Sequence, residues 1–174
     1  MNLKNKIMII DFDNTLITTD SLFYTFYILA INFRISVLIR CLVILLLKGK
    51  LSLKRYMYET NLMILSYNFN SKVLGLFKKN NAVLVSASYE PFLKKVLRKR
   101  INSKKIIGSR SYILKGRRKA TFISNNYGYK NFNYIGDSFS DISCWLASYQ
   151  PYTVRRLYLY KFFVPNLKHI NEIL

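Results

Sequence analysis

Acidic residues are scarce in this chain: eight among 174, against 28 lysines and arginines, for a formal net charge of +20. Histidine occurs once and cysteine twice. No His/Cys cluster exists, which argues against a zinc centre. Cys41 and Cys144 lie far apart in sequence, so no disulfide framework is expected, and a reduced, cytoplasmic setting follows. His169, near the C-terminus, reads as a surface residue rather than a ligand. A secretory signal is not expected either, because the apolar run from Lys6 to Phe12 is short, ends in acids and lacks a cleavage pattern. Internal repeats and low-complexity linkers are absent as well.

An apolar content of 51% with 16% aromatics excludes a disordered chain. The length suits one compact core with room for an inserted subdomain. The charge points to anionic partners: nucleic acid, phospholipid headgroups or phosphorylated substrates. Sixteen asparagines beside abundant Lys, Ile, Tyr and Phe indicate a biased composition that accounts for much of that charge. No basic motif for nucleic acid is recognisable, which argues against that partner.

Four of the eight acids fall in two clusters. Ile7-Met8-Ile9-Ile10 reads as a buried strand, and Asp11-Phe12-Asp13-Asn14-Thr15 follows it. Tyr134-Ile135 reads as another strand, followed by Gly136-Asp137-Ser138-Phe139-Ser140-Asp141. In open α/β sheets, ligands bind beyond the carboxyl ends of the strands. A chain so poor in acids that sets four of them at two strand ends is expected to hold a metal, and hard oxygen donors select Mg2+. Alternation along a strand would separate Asp11 from Asp13, but a loop leaving the strand can fold the second acid back. Asp11 would then act as nucleophile and Asp13 as general acid/base. Asp137 is the second metal carboxylate, and Asp141 orients a metal-bound water or a lysine. Ala82 to Ser88 reads as a strand ending in hydroxyl residues, with a helix expected from Glu90 to Lys99, so Ser86 and neighbouring N–H groups would form an anion site near a helix N-terminus. Lys119, in Lys115-Gly116-Arg117-Arg118-Lys119, would offset the charge of Asp11 and a phosphoryl group.

Asp-x-Asp-x-Thr, a strand ending in Ser, a Lys and Gly-Asp-x-x-x-Asp, in this order from about Lys6 to about Val154, resemble the haloacid dehalogenase (HAD) superfamily of phosphohydrolases. The finer pattern includes Thr19-Asp20-Ser21, Leu47-Lys48-Gly49-Lys50, Leu114-Lys115-Gly116-x-x-Lys119 and Asn133 through Trp145. It is similar to HAD domains fused to UbiA-type prenyltransferases, relatives of the phosphoserine-phosphatase-like branch. The resemblance implies a magnesium-dependent phosphatase, a hydrolase with Asp11 as nucleophile and Asp13 as acid/base. It also implies phosphate ligands at Ser86, Ala87 and Lys119, metal ligands at Asp11, Asp13 (through its backbone carbonyl) and Asp137, and support from Asp141, Asn14 and Thr15. The presence of Asp13 favours phosphoryl transfer over dehalogenation. Asn14 stands where many members have Gly, and Asn tolerates left-handed backbone geometry. The fused members continue into a many-spanning enzyme, whereas this sequence stops at Leu174.

The alternation of patterns predicts an α/β, Rossmann-like core with a parallel sheet and a helical cap inserted between the first two strands. Strands are expected at 6–11, 82–86, 105–108, 133–136 and 151–155, and core helices at 71–79, 89–100, 117–126 and 139–148. Residues 1–19 and 71–174 form the expected core, and 20–70 the cap. A small β-turn excursion is expected between Gly108 and Gly116, and Asp20 is expected to cap a helix. Phe162-Phe163-Val164-Pro165 is expected to pack on the core or cover an edge.

Residues 22–47 are strongly apolar, yet Arg34 and Arg40 interrupt them. A spanning helix needs about 20 mainly apolar residues, and a charge at the bilayer centre costs about 2.5–3.5 kcal/mol or more. Spanning is therefore disfavoured. A buried cap helix pair and an interfacial element docked on a membrane both fit. The alternative to an enzyme is thus a non-catalytic HAD-fold protein that docks on membranes or binds anions. For an enzyme, the partner is a small phosphorylated substrate, extending to a lipid phosphate if the cap is interfacial. The cap charges available to grip a leaving group, Arg34, Arg40, Lys48, Lys50, Lys54, Arg55 and Glu59, are nearly all basic, so phosphoserine is expected to be a poor substrate.

Overall fold

In a computed structural model, residues 6–62, 66–79, 81–154 and 170–173 are described. They form a six-stranded sheet in the order β3-β2-β1-β4-β5-β6, parallel throughout. The strands are β1 (Ile7–Ile10), β2 (Ala82–Tyr89), β3 (Ile106–Ser109), β4 (Phe132–Gly136), β5 (Gln150–Thr153) and β6 (Asn171–Glu172). Between them run α1 (Ser21–Ile31), α2 (Ile35–Glu59), α3 (Ser71–Lys79), α4 (Glu90–Leu97), α5 (Gly116–Tyr127) and α6 (Ile142–Ala147). This is the Rossmann-like α/β architecture that the alternating apolar runs predict.

Strand β1 is central because it can be buried on both faces. Met8 and Ile10 point into one apolar layer with Leu84, Phe92 and Val73. Ile9 points into the other, with Val83, Val85, Ile123 and Trp145. That two-sided burial is why the strand reads as a continuous apolar run. Ile10 pairs with Leu84 on one side and Ile135 on the other, so three strand ends stand level. The acids that follow β1 and β4 therefore share one crevice.

Several local details differ from expectation. Strand β2 runs on to Tyr89, with a register shift between Val85 and Tyr89. The expected β-turn excursion before Lys119 is an irregular path over 110–115, and β6 was not anticipated. A two-residue strand carries too short a pattern to detect. Phe162 to Pro165 and His169 lie outside the described residues.

Asp20 caps α1, accepting from the N–H groups of Leu22 at 2.8 Å and Phe23 at 3.2 Å. Helices α1 and α2 form a hairpin between β1 and β2. Gly49, at φ 76° and ψ 177°, breaks the α2 path into two arms. The second arm packs on the core through Leu53, Lys54 and Met57, whereas Cys41 is the one fully buried side chain of the first. Among the described residues, no helix is long and apolar enough to cross a membrane.

Candidate active site

Asp11 leaves β1 in an extended conformation, its N–H still bonded to the Ile135 carbonyl at 3.0 Å. Its side chain accepts from the Phe12 N–H at 2.8 Å. The chain then makes one wide turn over Phe12–Leu16, closed by the Ile17 N–H on the Phe12 carbonyl at 3.1 Å. Asn14 sits inside that turn at φ 54° and ψ 7°, a left-handed geometry that Asn accepts more readily than most residues. This turn is the fold-back that brings Asp13 to the same crevice as Asp11.

The two acids meet different surroundings. Lys119 Nζ lies 2.9 Å from Asp11 Oδ2 and 3.3 Å from Asp141 Oδ1. Burial pushes the Asp11 carboxyl up to about 6, with Lys119 pulling against it and Asp141 adding to it. Burial alone would also raise Asp13. There the Lys54 ammonium, together with hydrogen bonds from Lys54, Ser21 and Ser88, outweighs burial and holds the carboxyl below the usual range. The distances are short: Lys54 Nζ to Asp13 Oδ2 2.8 Å, Ser88 Oγ to the same oxygen 2.6 Å, and Ser21 N–H to Asp13 Oδ1 2.8 Å. Lys54 also donates to Ser88 Oγ at 2.6 Å and Ser21 Oγ at 3.1 Å.

Asp137 stands at the end of β4, where Thr15 Oγ1 reaches its Oδ1 at 3.4 Å. Asp141 folds back beneath it. Its Oδ2 accepts from the N–H groups of Asp137 and Ser138 and from the Ser138 hydroxyl, and its Oδ1 accepts from the Tyr134 hydroxyl at 2.6 Å. Gly136 permits this approach, since a Cβ there would lie 2.7 Å from the Asp141 carboxyl carbon. Burial would raise Asp141, but Lys119 and these donors overcome it and keep the carboxyl low. Lys119 is itself fully buried. Burial opposes its charge, yet Asp11 and Asp141 outweigh that and push its ammonium up.

A cavity of about 370 Å³ opens over these groups, within the range of small-ligand sites. Asp11, Asp13, Asn14, Asp137, Ser86 and Ala87 line it. Thr15, Lys119 and Asp141 instead stand behind this lining as its supports. Ser86 lies within β2, four residues before α4 begins at Glu90. The β2 register shift intervenes, and the Ser86 hydroxyl accepts from the Ser88 N–H at 3.1 Å within that irregular stretch.

The sequence places Tyr134, Ser21 and Ser88 in strands and motifs without a role of their own, and Lys54 only among seven cap charges. Lys50, Lys54 and Lys115 line the cavity, whereas Arg34, Arg40, Lys48, Arg55 and Glu59 do not. The usable signal was the four-residue spacing of Lys50 and Lys54, which puts both on one helix face.

The donor set fits a hard divalent cation. Asp11, Asp137 and Asp141 are buried, with carboxylate oxygens within 4.8 Å of one another. Asp11 and Asp137 line the cavity and Asp141 stands behind it, which leaves Asp11 and Asp137 as the better ligands. Four carboxylates face two buried ammoniums, Lys54 and Lys119, a deficit of two positive charges that such a cation would fill.

No protein-family model and no curated protein matches this sequence. Solved structures do resemble its fold. A HAD-family hydrolase from Salmonella enterica subsp. enterica serovar Typhi aligns with TM-score 0.62 at 13% identity, over 96% of this chain and 67% of that one. A phosphoserine phosphatase, solved as an analogue of its phospho-aspartyl intermediate, aligns with TM-score 0.57 at 16% identity, over 86% of each chain. A phosphoserine phosphohydrolase-like protein from Francisella tularensis subsp. tularensis SCHU S4 aligns with TM-score 0.54 at 16% identity, over 95% of this chain and 94% of that one. At these identities the likeness is one of fold.

Proposed function

We propose that this chain is a Mg2+-dependent phosphomonoester hydrolase that works through an aspartyl phosphate on Asp11. The observation that carries the proposal is the split environment of the two acids. Asp11 faces the cavity with Lys119 behind it, and Asp13 shares the cavity but is held by a separate set of donors. Neighbouring carboxylates placed in such different environments are suited to different roles.

In the first step an Asp11 carboxylate oxygen attacks phosphorus, and the bond from phosphorus to the leaving oxygen breaks. Asp13 gives that oxygen its proton. In the second step Asp13 takes a proton from water, the water oxygen attacks phosphorus, and the bond to Asp11 breaks. The Lys54 ion pair favours the ionised form of Asp13, the form needed for the second step. For the first step Lys54 must turn from Asp13 towards the incoming phosphoryl oxygens, so that Asp13 can carry a proton. Lys119 holds Asp11 in place and offsets its charge, and Ser86 with the Ala87 N–H faces the phosphoryl group. Asp11, Asp137 and the Asp13 carbonyl would hold the cation, which when bound supplies charge neutralisation for an anionic nucleophile meeting an anionic substrate.

The leaving group is met by Lys50, Lys54 and Lys115 at the cavity wall, with Asp20 the one further acid there. That balance favours an anionic or neutral leaving group over an amine, so phosphoserine should rank low. The finer likeness to domains joined to prenyltransferases rests on sequence motifs alone and adds nothing to the substrate. Buried, unpaired Cys41 and Cys144 fit the reducing, cytoplasmic setting proposed from sequence. The non-catalytic alternative gives no reason for four acids to converge with two buried lysines.

The test is turnover of p-nitrophenyl phosphate and a panel of phosphorylated metabolites, with and without Mg2+. Turnover should require the metal and fall by about 10⁴ in Asp11→Asn. Folded protein that turns over none of the panel in Mg2+ would count decisively against the proposal.

A further inference from the structure

Large apolar side chains stand exposed along the hairpin, away from the crevice. Among the described residues, ten of the fifteen exposed large hydrophobics fall between Phe23 and Leu47. They follow helical spacing. Phe23, Tyr27 and Ile31 recur every four residues on α1, and Ile35, Ile39 and Leu46 lie along one side of the first arm of α2. The two stripes meet at the turn, where Phe33 is 85% exposed and holds φ 51°, an unusual conformation for an aromatic residue. A patch of this kind marks an interaction surface rather than ordinary surface scatter.

The charge around the patch identifies what it meets. No acid occurs between Asp20 and Glu59, while Arg34, Arg40, Lys48, Lys50, Lys54 and Arg55 all fall in that interval. Lys54 is turned inward to Asp13, and Arg55 pairs with Glu59. Arg34, Arg40, Lys48 and Lys50 remain as exposed cations on the same elements as the apolar stripes. A second copy of this chain would set one cationic patch against another, on a protein of net charge +20. A nucleic acid would satisfy the cations but offer no apolar medium to the leucines and isoleucines. An anionic bilayer surface supplies both, with headgroups for the cations and an acyl boundary for the apolar tip.

We propose that the α1–α2 hairpin docks this protein on anionic lipid surfaces, with Phe33 and its neighbours at the apolar boundary and Arg34, Arg40, Lys48 and Lys50 among the headgroups. The hairpin lies on the surface without crossing it, in keeping with the broken α2. The docking face also runs up to the mouth of the cavity. Lys50 lines that cavity, and its ammonium lies 5.9 Å from the centre of the Phe23 ring. The crevice would therefore open beside the lipid plane.

Flotation of the full chain with phosphatidylcholine vesicles, with and without phosphatidylglycerol, tests this without calling on turnover. It can therefore fail or succeed independently of the hydrolase proposal. The wild type should float with the anionic vesicles, in a salt-sensitive manner, and stay behind with the neutral ones. Phe33→Ser with Ile35→Ser should weaken partition by about a hundredfold. Arg34→Gln with Arg40→Gln should weaken it by roughly thirtyfold. Both variants should keep the wild-type thermal midpoint, since the four side chains are exposed. Equal flotation with neutral vesicles, undiminished flotation of either folded variant, or no flotation by a protein that forms a dimer through this face or binds RNA would overturn the inference.

Discussion

The strand-end crevice and the hairpin break the same rule in opposite directions. In the crevice, Asp11, Lys119, Asp137 and Asp141 are buried, although charged groups are seldom fully buried unless paired. On the hairpin, Phe33, Leu46 and Leu47 are more than three-quarters exposed, although each would gain from burial. Helix α2 contains both anomalies. Its second arm turns Lys54 inward, its first arm turns Leu46 and Leu47 outward, and Gly49 separates them. Burial of charge is sustainable only where every group finds a partner, and the crevice supplies that through Lys119, Tyr134, Ser138 and the turn around Asp13. The outward leucines have no such compensation among the described residues. What offsets the buried charges is inside the protein, and the docking proposal sets the leucines against a lipid surface.

The comparison breaks most sharply at Lys119. Its replacement in Lys119→Met leaves Asp11 and Asp141 buried with no ammonium between them. Loss of one partner from a buried ionic cluster typically costs about 3–5 kcal/mol, and urea unfolding at neutral pH should read a loss of that size. The loss should shrink in acid, because protonation of Asp11 relieves the repulsion. An equal loss at all pH values would show that Lys119 acts through packing instead of charge.

Glu90 sharpens the comparison, being a buried acid whose partners reach solvent. Its Oε1 meets Lys94 and Arg110 at 2.6 Å each, and its Oε2 accepts from the Gly108 N–H at 3.2 Å. Burial would raise this carboxyl, but Arg110, Lys94 and Gly108 outweigh it and bring it down to about 2. A depressed acid stabilises the fold above its unfolded pKa, and that contribution is lost as pH falls through the folded value. Glu90→Gln should therefore cost about 2 kcal/mol at neutral pH, after allowance for solvent around the two cations. The gap between variant and wild type should close as pH falls from the ordinary Glu value of 4.5 towards 2. A gap that stays constant through that window would contradict the assignment.

Strands β1, β2 and β4 were legible because they are buried on both faces and so read as apolar runs. Asp11 and Asp137 were legible for a related reason: a polar residue directly after such a run falls at a strand end, where this fold places its crevice. Lys54 was hidden because it reaches Asp13 across 41 residues of sequence, from a helix whose outer arm gives no hint of the inward turn. Tyr134 was hidden in an apolar strand, where a tyrosine looks like packing until its hydroxyl meets Asp141. The irregular path around Ser86 was hidden because a register shift in β2 leaves no mark in composition. For residues 22–47, sequence left a buried pair and an interfacial element open. Among the described residues, Phe33, Leu46 and Leu47 stand exposed.

The most direct test of the central claim is to look for the phosphoryl group on Asp11. Wild-type protein would be mixed with a turned-over phosphomonoester in Mg2+, quenched in acid during the first turnover and read by intact-mass and peptide mass spectrometry. One added phosphoryl group is expected, confined to the peptide that carries Asp11 and absent from Asp11→Asn. Turnover with no phosphorylated protein at any quench time, or the same modification persisting in Asp11→Asn, would contradict it.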